Sequence, residues 1–443
     1  MSIFRAYDVR GIYPAEINEE IAYKTGRAFV DFLKAKTILV SYDMRNGSVS
    51  LKDALARGIT DQGADAVVVK GLCSTPKGYF AGCLAGADGS MLVNASHNPG
   101  IYNGFKLTRK GAVPVSGETG IKEIEKLVLE NRFSKPERRG SVKETDVTKE
   151  YIDHILMLAG TGRIKPLKIA VDAGNGMGGR EMEHVLDRTP LDVVKMYFEP
   201  DGRFPNHEAN PLIEENLRDV RKRVLEEGAD LGVAFDGDAD RVFFVDDKGE
   251  IVPSSFITCI IAEDILRKNP GGKIVYDIRS SWIVKETIER LGGKPIMWRV
   301  GHSFIKECMR RENAVFCGEF SGHYYFRDNF YAESAVAAVL KIVQIMSGKG
   351  KKLSELADPL RKYFATGEIN SEVEDKDGKM KELAEIYKNG KSCRMDGVRV
   401  DFEDWWFIAR PSNTEPLLRL CVEAKTEELM EEKRDEVLEI IRR

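Results

Sequence analysis

The chain has 443 residues, more than one ordinary hydrophobic core accommodates, so several domains are expected. Its formal net charge of −4 leaves no bulk basic excess of the kind nucleic-acid binding uses, while an apolar fraction of 42% is enough for globular cores. No uncharged apolar run is long enough to span a membrane, and the opening MSIFRAYDVRG is charged by Arg5 with no apolar stretch behind it, which argues against a secretory signal.

In chain order, YDVRG (7–11) first offers Tyr7 and Arg10, residues that alone are more often structural than catalytic. KTILVSYDMRNGS (36–48) reads as a buried strand ending in a polar loop. A helix-length segment and a second apolar run, ADAVVVKG (64–71), follow it. NASHNPG (94–100) then sets Ser96 beside His97 in a turn closed by Pro99 and Gly100. A serine next to a histidine first suggests a hydrolase nucleophile with its base. GFKLT (104–108) places Lys106 just behind that turn. The highly charged ENRFSKPERRGSVKETDVTKE (130–150) reads as a surface connection leaving the first domain.

The same plan recurs. LKIAVDAGNGMGG (167–179) with LDVVKMYFEPDG (191–202), and GKIVYDIRSSW (272–282) with KPIMWRVG (294–301), repeat the strand, helix-length segment and strand. Such alternation argues for α/β units on largely parallel sheets, and the repeated spacing for three related domains. LGVAFDGDADRVFFVDDKG (231–249) is the most informative stretch. Asp236, Asp238 and Asp240 crowd three carboxylates into one loop, and a bound divalent cation would relieve their repulsion. A calcium EF-hand needs Gly and Glu where this chain has Arg241 and Asp247. Magnesium, completed by substrate phosphate or water, is therefore preferred over calcium; a solvated acidic turn is the other reading. Arg241 is placed to meet a phosphoryl oxygen, or is an ordinary surface arginine. DDKGEIVPS (246–254) reads as a turn and a boundary.

VGHSFIK (300–306) offers His302. CGEFSGHYYF (317–326) brings Glu319, Ser321 and His323 onto a tight loop suited to vicinal sugar hydroxyls, or to nothing more than a turn. After FATGEIN (364–370) the texture changes to antiparallel strands around ARPSNTEPLLRL (409–420). There Arg410, Ser412, Asn413, Thr414 and Arg419 compose either a phosphate clamp or a capped hairpin. An amphipathic helix with Thr426 as its cap ends the chain. Domains are expected at 1–145, 146–250, 251–364 and 365–443. Seven cysteines without C-x-x-C or zinc-finger spacing read as reduced thiols in a cytoplasmic protein. Four chemistry-bearing loops in four domains are most simply arranged around one shared cleft.

FRAYDVRG, NASHNPGIYNGFK, FDGDADR, GEFSGH and RPSNTEP, in this order over nearly the whole chain, resemble the α-D-phosphohexomutase family, and within it the phosphomannomutase/phosphoglucomutase group. The resemblance implies an α/β fold of four domains around a central cleft. Three would be related α/β domains with mixed sheets, and the last a TATA-binding-protein-like α+β domain. It implies that Ser96 carries a phosphoryl group rather than hydrolysing a bond, with Mg²⁺ between it and Asp236, Asp238 and Asp240. A hexose 1-phosphate and its 6-phosphate would interconvert through a hexose 1,6-bisphosphate, which also serves as activator. Lys106, His97, Arg10 and His323 would surround the reacting oxygen, with Lys106 or His323 as general acid or base. Glu319 and Ser321 would hold the 3- and 4-hydroxyls. Arg410, Ser412, Asn413 and Thr414 would hold the phosphate that is not reacting, with Arg279 and His302 near it and Tyr7, Arg241 and Arg419 completing the substrate contacts.

Three departures from the family pattern stand out. Asn94 replaces a common Thr or Ser, with little effect expected. Arg279 replaces a Lys, which keeps charge but not geometry. Phe320 stands where the glucosamine branch commonly has Gln. A glucosamine-phosphate mutase of the same fold, a metal-dependent sugar phosphatase with an Asp nucleophile, and a non-catalytic phosphosugar binder are the rivals. The partner expected is a small phosphosugar, with no nucleic acid and no membrane; monomer and homo-oligomer are both compatible with the sequence.

Overall fold

The computed structural model describes residues 2–160, 162, 164–412 and 417–443. The described strands form four sheets. In the first unit, Thr37–Tyr42 lies between Asp65–Val69 and Gly89–Val93, parallel to both. Tyr102–Arg109 returns antiparallel to Gly89–Val93, and Val9–Ile12 pairs beyond it. The second unit repeats this arrangement. Lys168–Asp172 is flanked in parallel by Asp192–Met196 and Leu231–Phe235, and Val242–Asp246 returns antiparallel. In the third unit the flanking strands are Lys294–Trp298 and Phe316–Gly318, with Tyr324–Phe326 returning. The sheets are thus mixed rather than largely parallel, because each unit ends in a hairpin.

That hairpin organises the chemistry. NASHNPG, FDGDADR and GEFSGH occupy the same place in the three units, the turn between the last parallel strand and the first antiparallel one. A second shared device follows the central strand. Asp43 accepts from the backbone N–H of Arg45 at 3.0 Å, Asp172 from Gly174 at 2.8 Å and Asp277 from Arg279 at 2.7 Å. Each is an Asx turn that stops the strand and turns the chain toward the next helix.

The charged segment expected to be only a connection also contributes structure. Val142–Thr145 pairs in parallel with Asp65–Val69 as an exposed edge strand. Four residues with two charges make an edge that resists pairing with another chain.

The first unit has its own apolar core around Phe29, Ile38 and Phe105. The second and third share one, running from Ile169 and Phe235 to Ile274 and Phe316. The helix Ala335–Lys349, buried along most of its length, lies within it. Apolar residues all around a helix require cover on every side, and this position supplies it.

In the fourth unit, Val398–Asp401, Trp405–Pro411 and Leu417–Ala424 form an antiparallel meander. Strand alternation splits its side chains. Trp405, Phe407 and Ala409 join the core under the helices Lys376–Ile386 and Glu427–Arg442. Trp406 and Ile408 pack instead against Ile278 of the third unit. Arg410 follows Trp406 and Ile408 in phase, so the strand delivers it to the interdomain face. Thr426 caps the last helix, accepting from the Leu429 N–H at 3.2 Å.

Candidate active site

Ser96 is buried at the tip of its hairpin in left-handed backbone, φ 49°, a conformation non-glycine residues adopt at a cost. Its amide N–H donates to the Asn94 side chain at 3.3 Å, and Asn94 donates onward to Thr75 at 3.0 Å. Asn94, expected to matter little, thus braces the serine turn. The larger brace comes from Arg45. Its guanidinium donates to the carbonyls of Ser96 and Asn98 at 2.6 Å, Pro99 at 2.9 Å and Tyr102 at 3.0 Å. It is itself buried against Asp43, and it stacks over the Phe204 ring of the second unit. One planar cation satisfies the polar backbone of a buried turn, a task suited to a fork of fixed donors.

The metal-type loop meets this turn directly. The Ser96 Oγ lies 3.2 Å from Asp236 Oδ2 and 3.1 Å from His97 Nδ1. A Cβ on Gly237 would sit 2.6 Å from the Ser96 carbonyl oxygen. The glycine is therefore needed for close approach of the two loops, a more specific reason than general pliability. Asp236 Oδ1 accepts the N–H groups of Asp240 and Arg241 at 3.0 and 3.1 Å.

Asp236, Asp238 and Asp240 are all buried, and one oxygen from each lies within 4.8 Å of the others. Asp238 Oδ1 is buried without a protein partner. Such an oxygen-only, acidic donor set suits a hard divalent cation such as Mg²⁺.

Positive groups close around the carboxylates. Lys106 Nζ lies 2.6 Å from both Asp238 and Asp240. Burial opposes its charge, but the two aspartates hold its pKa well above the ordinary lysine value. Thr75 donates to Asp238 at 2.5 Å. Arg241 Nε is 3.7 Å from Asp236 and 3.9 Å from Asp240. Burial, then the neighbouring Asp240 and Asp238, pushes the Asp236 carboxyl well above its usual range.

His323 connects this centre to the third unit. Its Nε2 lies 3.2 Å from Asp240 and its Nδ1 2.9 Å from Glu319. Burial lowers its pKa, but Asp240 and Glu319 outweigh that and bring it to about 9. Glu319 also accepts from the Tyr325 hydroxyl at 2.5 Å, while its Oε1 is buried without a partner. Ser321 Oγ is 3.1 Å from His323 Nδ1. Glu319 and Ser321, expected to face a sugar, thus also fix the imidazole; Oε1 of Glu319 is the acceptor left over.

Desolvation, aided by Arg241 and Arg10, pushes His97 well below the ordinary imidazole pKa. Arg10 donates to the Asn98 side chain at 2.5 Å and pairs with Asp8. It belongs to the rim of the serine loop.

The remaining expected residues gather at the other end. The Tyr7 ring centroid is 5.9 Å from that of His302, and its pKa is raised by burial and by Asp396, with Arg410 opposing. The first, third and fourth units therefore meet there. Arg279 is buried, pairs with Asp277 at 2.9 Å and Glu368 at 3.3 Å, and stacks over the Phe320 ring. Glu368 also contacts Arg419 at 3.2 Å and Arg410 at 3.8 Å. Arg410 pairs further with Asp396 at 3.4 Å. The Ser412 carbonyl accepts from Lys376 at 2.9 Å. Asn413 and Thr414 lie outside the described residues.

Sequence reasoning missed Arg45, Thr75, Tyr325, Glu368 and Asp396. For Arg45 a signal existed: Asp43-Met44-Arg45 and Asp277-Ile278-Arg279 follow the central strands of two units in the same pattern. No helix among the described residues is long and apolar enough to cross a membrane.

Comparison with known proteins finds one family along nearly the whole chain. Four family models match in order: phosphoglucomutase/phosphomannomutase alpha/beta/alpha domains I, II and III over residues 1–135, 149–249 and 253–363, and the C-terminal domain over 368–440. A phosphomannomutase of Salmonella montevideo is 40% identical over 452 residues, covering 100% of this chain and 99% of the relative. A protein of Xanthomonas campestris pv. campestris described as phosphohexose mutases is 38% identical, with 99% of each chain covered. The crystal structure of a phosphoglucomutase/phosphomannomutase family protein from Burkholderia thailandensis superposes with a TM-score of 0.90 at 32% identity, covering 99% of this chain and 96% of that one.

Proposed function

The chain belongs to the phosphoglucomutase/phosphomannomutase family and is a phosphohexomutase, and from that premise we propose how its residues carry the reaction. Ser96 acts as a reversible phosphoryl carrier. With a hexose 1-phosphate bound, the Oγ–phosphorus bond of phosphorylated Ser96 breaks as the sugar 6-hydroxyl oxygen bonds to phosphorus, and the hydroxyl proton passes, through Lys106 or His323, to the freed Ser96 Oγ. The resulting hexose 1,6-bisphosphate turns over in the cleft. Ser96 then takes the phosphoryl group from C1, the C1 oxygen regains a proton, and the hexose 6-phosphate leaves.

The observation that carries this reading is the meeting of the Ser96 Oγ with the Asp236–Asp240 loop at 3.2 Å, in a turn fixed from behind by Arg45. Phosphoryl transfer depends mostly on positioning and charge neutralisation. Asp236, Asp238, Asp240 and a phosphoryl oxygen on Ser96 would hold Mg²⁺, which when bound neutralises and polarises the moving group. Lys106 and His323, both on Asp240, are the proton-carrying groups beside the centre. Glu319 accepts sugar hydroxyls through Oε1. Arg410, with Ser412, Arg419, Asn413 and Thr414, holds the distal phosphate. Tyr7 and His302 line the wall between the two ends. Mannose and glucose phosphates are the proposed substrates.

The test is conversion of mannose 1-phosphate and glucose 1-phosphate to the 6-phosphates, with Mg²⁺ and a trace of hexose 1,6-bisphosphate, by wild type and Ser96→Ala. Turnover by wild type alone supports the carrier, and the rate ratio gives the preferred sugar. Turnover of glucosamine phosphate alone would move the substrate assignment. Free phosphate released by both proteins would replace the carrier by a phosphatase.

A further inference from the structure

Arg410 and Arg419 are directly opposed partners across the strands Trp405–Pro411 and Leu417–Ala424. Like charges in that position repel and need an anion between them. Arg279 of the third unit adds a third guanidinium from across the domain boundary. The chain supplies its own anion, since the Glu368 carboxylate contacts Arg419 at 3.2 Å, Arg279 at 3.3 Å and Arg410 at 3.8 Å. Glu368 sits between the strand pieces Phe364–Ala365 and Ile369–Glu372, at the start of the fourth domain. Its side chain is 18% exposed, so it is not sealed from solvent.

We propose that Glu368 is an internal competitor for the phosphate-binding arginines, and that it sets how long the clamp retains a phosphosugar. The proposal rests on reading Arg410 and its neighbours as that clamp. A planar carboxylate and a phosphate seek the same guanidinium donors. An arriving phosphate therefore displaces part of the Glu368 contacts, and Glu368 regains them as the phosphate leaves. The reaction needs this reversibility. The bisphosphate must let go of the clamp with one phosphate and return with the other, and without the competition of Glu368 the three arginines would hold it too firmly. Glu368 acts through the arginines and is a positioning residue, not a catalytic one.

The experiment compares wild type, Glu368→Gln and Arg410→Ala. Calorimetric titration with mannose 1-phosphate is done in a Ser96→Ala background, and steady-state kinetics with Ser96 intact. Glu368→Gln is expected to bind about 10-fold more tightly, since one competing charge is removed from a partly desolvated cluster. Its KM and kcat should fall together, as release becomes slow. Mannose 1-phosphate should also raise its melting temperature by more than it raises that of wild type. This last readout holds even if the variant is less stable overall.

Weaker or unchanged binding in Glu368→Gln, with Arg410→Ala clearly impaired, would overturn the competitor while leaving the clamp. Unimpaired binding in Arg410→Ala would remove the clamp reading and this proposal with it.

Discussion

The serine end and the clamp end differ in how far their charged groups are tied to backbone. Around Ser96, charge pairs such as Lys106 with Asp238 and Asp240 are supplemented by charged groups tied to backbone. Arg45 holds four carbonyls of one turn, Asp236 holds two amides, and Gly237 lets the loops touch. At the clamp end, charges are tied to other charges. Arg279, Arg410 and Arg419 converge on Glu368 across a domain boundary. Backbone ties fix a geometry that no ligand replaces, whereas a carboxylate on a guanidinium can exchange with a phosphate. In the proposed reaction the serine end would be preorganised, as transfer requires, and the clamp end exchangeable, as two substrate poses require.

Substitutions at the two ends should therefore separate in kind. The largest effect is expected from Asp238→Asn, which keeps shape but removes a charge from the carboxylate triad. Its kcat should fall about 1,000-fold with little change in KM, since the triad acts on developing charge. Equal losses in binding and turnover, measured by steady-state kinetics, would dissolve the distinction. Arg45→Ala comes next. It should lower kcat about 100-fold by loosening the serine turn. Removing one partner of a buried charged network should also cost about 3–5 kcal/mol, visible as a lower melting temperature. A variant that melts lower but keeps wild-type kcat would show that Arg45 serves the fold alone.

At the clamp end, Arg410→Ala should raise KM about 10-fold for both the 1-phosphate and the 6-phosphate, consistent with loss of a charge-assisted contact. An effect in one direction only would contradict a clamp used in both poses. The smallest effect belongs to neither end. Thr426→Ala should cost about 1 kcal/mol through loss of a helix cap while leaving kcat and KM unchanged. Altered kinetics there would mean that the last helix communicates with the clamp.

The contrast also explains what could be read from the letters. The NASHNPG, FDGDADR and GEFSGH loops are local: each is one hairpin whose polar and charged residues lie within seven positions. The repeated strand followed by aspartate was visible too, and the Asx turns at Asp43, Asp172 and Asp277 are its physical content. Arg45 was harder, because its partners lie some fifty residues onward and are backbone carbonyls, which leave no mark on side-chain patterns. Glu368 was out of reach, since its meaning depends on how the third and fourth units pack. The charged 130–150 segment misled for a related reason. An exposed four-residue edge strand such as Val142–Thr145 has no apolar alternation to betray it.

In the proposed reaction Ser96 itself carries the phosphoryl group. Wild type and Ser96→Ala should be incubated with glucose 1,6-bisphosphate and Mg²⁺, and the peptide spanning NASHNPG weighed by mass spectrometry. Wild type is expected to gain one phosphoryl mass on Ser96, lost when glucose 1-phosphate is added, and Ser96→Ala to gain none. A peptide that stays unmodified in a wild type converting hexose phosphates, or a Ser96→Ala enzyme that still converts them, would contradict that role.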